Sequence, residues 1–303
     1  MYNRYRRGLF ITAFLAAPVA LYLIYVISPY VQAFYIATTN WRGVTATPEF
    51  IGLENFQRLF GDGIFWKAVT HNAALLVLLP LLTIVIALFF AYLLNVGGAG
   101  QGVRGIRGSK FYRVVFFFPQ VLSVAVVAVL FQQVFRPDGS GMLNGPLMTL
   151  GVKPIGFLSN PDIAFWSVLG VMVWQAVGFY VVLFSAGLAS IPKDMFEAAQ
   201  IDGAGRLSLF FRITLPLLWD TVQVAWVYLG IIALDVFAIV WVMTDQHGGP
   251  DFSTTVMAAE IYRNAFSYFR FGYASALGVV MFLFTVGFAI LSLRLSRRER
   301  IEY

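Results

Sequence analysis

The chain has no cysteine, only two histidines, and charged side chains at just 12% of its 303 positions. Without cysteine there is no disulfide, no thiol nucleophile and no thiolate-held metal or cluster. His71 and His247 lie far apart in the sequence, and no H-E-x-x-H or paired-carboxylate pattern offers a zinc or acid–base site. No G-x-x-x-x-G-K-[ST] run occurs, so the chain has no phosphate-cradling loop of its own. Enzymatic chemistry therefore has nothing to stand on. A soluble domain carries about 25% charged residues; this chain carries half of that and is 59% hydrophobic. Its apolar residues come in blocks of a length that crosses hydrocarbon, which takes about 20 residues at 1.5 Å each. The expectation is an all-α, polytopic membrane protein embedded in a lipid bilayer.

Six blocks are poor in charge, over residues 9–36, 69–94, 112–135, 163–189, 219–244 and 273–293, within a single membrane domain of 1–303. Pro18 and Pro29 are possible kinks in the first block, and Pro80 and Pro119 fall in the second and third. Arg4, Arg6 and Arg7 precede the first block without a small-residue cleavage site, so it reads as a retained span. Basic residues set the orientation. Fourteen of the 21 Lys and Arg fall at the N-terminus, around 104–113, in 193–212 and in the tail from Arg294; the other seven lie in the alternate connections. Both termini are thus expected on the cytoplasmic side of the membrane. The net charge of +6 is explained by this topology, and nucleic acid is not an expected partner.

Residues 97–108, GGAGQGVRGIRG, include Gly100, Gly102 and Gly105 in a G-x-G-x-x-G pattern. That fingerprint needs a strand before it and a helix opening after it; between two spans it reads as a flexible linker. The connection Ser190–Pro216 is longer and more ordered in composition. Ser190 and Pro192 resemble a helix start, and a first short helix to about Ile201 puts Ile191, Met195 and Ala198 on one face. Gly203-Ala204-Gly205 breaks it, and a second short helix runs through Arg212 and ends before Pro216. Two short helices at an angle make a protruding knob, or an amphipathic segment lying on lipid.

The same connection holds Glu197-Ala198-Ala199, then Asp202-Gly203, then Ile213, Leu215 and Pro216, the spacing E-A-A, three residues, G, nine residues, I-x-L-P. It resembles the EAA loop of permease subunits in binding-protein-dependent ABC importers. The likeness extends to GLENF at 52–56, FYRVVFFFPQVLSVAVVAVLF at 111–131, GFYVVLFSAGLASIP at 178–192 and GGPDFSTTVMAAEIYRNAF at 248–266, which match the carbohydrate-importing branch. The resemblance implies a type I ABC importer permease fold of six transmembrane helices with a cytoplasmic coupling-helix loop. It also implies a second homologous permease subunit, a cytoplasmic ABC ATPase dimer and an extracytoplasmic sugar-binding protein. ATP and Mg would be used by the ATPase, with no cofactor on this chain. By that resemblance Glu197 makes an ionic contact with the ATPase, Gly203 sets the angle of the short helices, and Ala198 and Ala199 allow close approach. The basic tail RLSRRERIEY resembles that of the first-named permease of a sugar pair.

Asp235 is expected near the middle of the fifth span, where a carboxylate costs about 2.5–3.5 kcal/mol on insertion scales. Sugars are held by carboxylate–hydroxyl hydrogen bonds and by aromatic faces, so Asp235, with Tyr228 seven residues before it on the same helical face, is a candidate solute contact; an interhelical hydrogen bond or ion pair with the partner permease is the alternative. The family often has Gln or Lys here and Asp three residues on, where this chain has Ala238. Gln175 and Tyr180 in the fourth span are weaker candidates for the same pathway, and Gln132 and Gln133 weaker still. His71 and Asn72 read as a solvated pair at a helix end, and His247 as loop. The rival function is an ion-coupled secondary transporter, a class that carries inverted repeats and paired broken helices; no halves-symmetry is evident.

Overall fold

A computed structural model describes residues 2–44, 48–95, 106 and 108–295. The glycine-rich run through Gly100, Gly102 and Gly105 and the tail beyond residue 295 lie outside the described residues. Among those described there is no strand, only an isolated bridge between Thr39 and Phe50.

The helices in chain order are α1 (Tyr2–Tyr22), which passes through a π-turn at Leu23–Ile27 into α2 (Ser28–Ala37), α3 (Glu54–Phe60), α4 (Gly63–Asn95), α5 (Ser109–Val121), α6 (Val124–Val134) and α7 (Asn144–Thr149). There follow α8 (Pro161–Ser190), α9 (Lys193–Ile201), α10 (Arg206–Leu209), a π-segment Phe210–Thr214, α11 (Leu215–Leu217), α12 (Trp219–Leu234), α13 (Ala238–Met243), α14 (Met257–Tyr262) and α15 (Phe271–Leu295). Four stretches are long and apolar enough to cross a bilayer unbroken: Phe10–Ala37, Gly63–Asn95, Pro161–Ser190 and Phe271–Arg294. Two bent pairs, α5 with α6 and Arg206–Leu217 with α12, bring the count to six.

Those pairs depart from the expected continuous spans for local reasons. The third span turns by 97° between α5 and α6. Pro119 removes a backbone donor in the last turn of α5, and Leu122 and Ser123 are extended. Ser123 then caps α6, its Oγ accepting from the Val126 amide at 3.3 Å. The fifth span, expected over 219–244, ends at Leu234; residues 235–237 break it before α13 begins. Upstream, Pro216 does not end the second short helix. The π-segment closes with the Leu215 amide bonded to the Phe210 carbonyl, so the helix has shifted register by the time it meets the proline and continues to Leu217. The 70° bend comes two residues later, at Leu218. By contrast α8 begins as its sequence dictates: the Asn160 side chain accepts from the Asp162 amide at 2.9 Å, with Pro161 in the first turn.

The chain divides into two compact units, Met1–Phe65 with Glu260–Leu283, and Trp66–Ala259 with Phe284–Tyr303. In the first, buried Asn55 donates to the carbonyls of Ala37 (2.9 Å) and Thr39 (2.7 Å), which caps α2. Glu260 and Arg263 form a buried ion pair one helical turn apart. The larger unit holds the main core, where α4, α6, α8, α12 and α13 meet. Because lipid is as apolar as the core, such packing gains from close approach rather than from dehydration. Gly178 on α8 illustrates this: a Cβ there would lie 1.7 Å from the Phe116 carbonyl oxygen of α5.

Candidate functional site: a cleft between broken helices and a helical elbow

Within the larger unit the exposed backbone at each break is satisfied by a side-chain amide. Gln175 on α8 donates to the Leu122 carbonyl at 3.3 Å, where the third span breaks. Asn72 on α4 donates to Ala233 (3.0 Å) and Leu234 (3.3 Å) at the end of α12 and accepts the Met257 amide at 2.8 Å. Gln132 on α6 donates to the Val242 carbonyl at 2.6 Å, at the end of α13. Irregular backbone at membrane depth needs such partners, because hydrocarbon offers none. Asn72 is therefore not the solvated group that its place in the sequence suggests: it is 3% exposed. Its neighbour His71 points Nδ1 at the Thr255 carbonyl (2.8 Å) and stacks on Phe165.

The two breaks face a cleft of about 300 Å³. Gln120 and Val124 come from either side of the first break, Asp235 to Ile239 from the second, Met172 and Gln175 from α8, and Leu79 from α4. Asp235 caps α12 with φ −96° and ψ 29°, so it sits at a helix end rather than inside a continuous helix as expected. Its carboxylate is exposed to the cleft and has no hydrogen bond or ion pair among the described residues. Of the sequence candidates, the fold brings Asp235 and Gln175 together and adds Gln120. Tyr228 is more than half exposed and does not line the cleft; Tyr180 is buried, with a hydroxyl that has no hydrogen-bond partner among the described residues. Nothing in the sequence marks Gln120, since its role follows from the 97° turn beside it.

The second feature lies between the fourth and fifth spans. Helix α9 ends in a left-handed cap: the Ala204 amide reaches the Ala199 carbonyl (2.9 Å) and the Gly203 amide the Gln200 carbonyl (3.0 Å), with Gly203 at φ 81°. No atom stands within 4 Å of where a Cβ on Gly203 would be, so glycine is needed for φ alone. Phe196 is the buried anchor of α9. Met195 and Ala198, expected to share a face with Ile191, are exposed, as are Glu197, Asp202 and Pro216; Ala199, Ile213 and Leu215 are half-buried. Tyr92 of α4 donates to the Arg206 carbonyl at 3.0 Å and meets Phe210 edge-on, which ties the segment to the core. Arg113 bonds Asn95 (2.5 Å), which in turn donates to Ser185 near the end of α8. The result is a pinned helical elbow that carries exposed apolar side chains at Ile201, Leu207 and Phe211.

Broken spans around a largely apolar cleft that carries Asp235, Gln120 and Gln175, joined to a helical elbow, define a membrane transport subunit. Residues 95–301 match the family of binding-protein-dependent transport system inner membrane components, and the chain belongs to that family. It is 42% identical over 295 residues to the diacetylchitobiose uptake system permease protein NgcF of Streptomyces coelicolor, a match that covers 96% of this chain and 83% of that one. It is 32% identical over 290 residues to the multiple sugar-binding transport system permease protein MsmF of Streptococcus mutans, with 95% of each covered. Its fold superposes on a chain of the bacterial alginate ABC transporter, solved with an alginate pentasaccharide-bound periplasmic protein, with a TM-score of 0.81 at 23% identity over 98% of this chain and 97% of that one.

Proposed function

We propose that this chain is one of two homologous permease subunits of an ATP-driven importer for a sugar, and that it forms half of the translocation pathway. The observation that carries the substrate class is the 42% identity, along almost the whole chain, to a diacetylchitobiose uptake permease. The elbow lies on the cytoplasmic face with both termini, in keeping with the excess of Lys and Arg there. A cytoplasmic ABC ATPase dimer receives α9 and the exposed Ile201, Leu207 and Phe211. Glu197 supplies the ionic contact, Ala198 and Ala199 the close approach, and Asp202-Gly203 with Ile213, Leu215 and Pro216 the angle and footing of the elbow. ATP and Mg act on that partner, and this chain binds no cofactor. Closure of the ATPase pushes on α9, and the capped turn at Gly203 transmits the displacement to the spans as a rigid body. An extracytoplasmic sugar-binding protein delivers the solute.

Along the path, Asp235 accepts sugar hydroxyls and Gln120 and Gln175 offer amides, between walls of Phe237, Met172 and Leu79. Tyr228 and Tyr180 line no part of this cleft. Reconstitution with the partner permease, the ATPase and the binding protein tests the reading. Sugar uptake that follows ATP hydrolysis is expected, and uptake that persists without hydrolysis refutes it. Glu197→Ala is expected to leave membrane insertion intact and to uncouple hydrolysis from uptake. Unchanged uptake affinity and rate in Asp235→Asn would remove the solute role.

A further inference from the structure

An open cleft of about 370 Å³ lies where α4 and α8 begin and the 245–255 segment closes over them. Helix α8 has 30 residues, so this end of it stands about 45 Å from the elbow at 1.5 Å per residue. Trp166, 57% exposed, forms one wall edge-on to Phe165. Asp162 and Asp251 line the cleft with carboxylates that have no bond or ion pair among the described residues. Ser253 Oγ is buried there and has no hydrogen-bond partner among the described residues. The backbone that presents Asp251 is strained, with φ of 53° at Asp251 and 58° at Phe252, neither of them glycine. Lys67 holds it by donating to the Asp251 carbonyl at 2.9 Å. Left-handed non-glycine residues persist where surrounding contacts over-determine them, and they cluster at ligand clamps.

We propose that this cleft is a sugar-binding vestibule, a subsite distinct from the Asp235 cleft, at which solute dwells on the outer side before it enters the spans. This rests on the reading of the chain as a sugar importer. Asp162 and Asp251 outweigh the single Lys67 in the wall and disfavour an anion, and among the described residues no group of three or more His, Asp or Glu stands ready to hold a metal ion. A neutral polyhydroxylated ring fits what remains: it donates to the free carboxylates and to Ser253, and lays an apolar face on the indole.

The test uses the complete importer in lipid nanodiscs, labelled with 5-fluorotryptophan, with the Trp166 resonance assigned by its loss in Trp166→Phe. N,N′-diacetylchitobiose, cellobiose and maltose are the probes. At least one is expected to shift the Trp166 resonance saturably, with apparent affinity weakened about tenfold in Asp162→Asn and in Asp251→Asn. Asparagine tolerates the left-handed backbone at 251, so both variants are expected to fold. A Trp166 resonance that no probe moves overturns the proposal, as does a shift that both variants leave unaltered. If the variants lose only binding-protein-stimulated ATPase activity, the cleft docks that protein and the proposal fails. ATP-dependent uptake is measured in parallel. Uptake without a Trp166 shift sinks the vestibule alone; a shift without ATP-dependent uptake sinks the importer reading alone.

Discussion

Gly178 and Asn72 each do something that no neighbouring residue can replace. Gly178 lets the α5 backbone lie against α8, and a methyl there meets the Phe116 carbonyl at 1.7 Å. Gly178→Ala is expected to destabilise the protein by about 1–3 kcal/mol or more, as overpacking does, read as a fall in the melting temperature of the purified protein. Asn72 serves two carbonyls and one amide at the break below Asp235. Asn72→Leu strands all three, at about 1–3 kcal/mol per buried group, so both melting temperature and sugar uptake are expected to drop. In the loop after α6, the Ser140 hydroxyl first, then Arg136, hold the Asp138 carboxyl down from its ordinary 3.8 to about 2. Because the folded value is the lower one, this contact favours the fold above pH 3.8 and is lost as pH falls through about 2. A carboxyl-carbon NMR titration is expected to place its midpoint well below 3.8.

At the scale of elements, the breaks decide what the protein can do. The third and fifth spans are apolar enough to read as continuous, yet the third turns at Leu122 and Ser123 and the fifth breaks at residues 235–237, and these two breaks line the cleft. Pro119 was legible only as a proline that a membrane helix tolerates; the extended Leu122 and Ser123 were not legible, because nothing local signals that Gln175 from another helix waits to take up the Leu122 carbonyl. The same holds for Asp235, whose carboxylate was visible in the sequence while its position at a helix end was not. The elbow was more legible. Gly203 and the short α9 follow from capping chemistry, and only the passage of the second helix through Pro216 needed the π-segment to be seen. Gly203→Ala meets no atom of the described residues and costs only the left-handed φ, about 1–2 kcal/mol. Its expected signature is intact sugar binding with weakened coupling of hydrolysis to uptake, measured in proteoliposomes.

For the molecule as a whole, the absence of cysteine makes sidedness directly testable. Leu207→Cys on the elbow and Leu150→Cys after α7 are both strongly exposed. An impermeant maleimide is expected to label position 150 from outside intact cells and position 207 only after the inner face is opened. The reverse pattern would invert the topology and move the ATPase contact to the wrong side. Copurification with a Walker-motif ATPase that is lost when α9 is deleted would support the elbow as its docking point.

The sequence by itself determined the class of solvent this chain lives in, the six apolar stretches, the charge asymmetry and the elbow's capped glycine. All of these depend on composition or on contacts within a few residues. Tertiary structure alone decided that two spans break, that Asn72 and Gln175, both buried, and half-buried Gln132 serve as backbone partners, and that Asp235 opens on a cleft. The physical reason is common to all three: a carbonyl released at a break in hydrocarbon must find a donor, and the donor stands on a helix dozens of residues away.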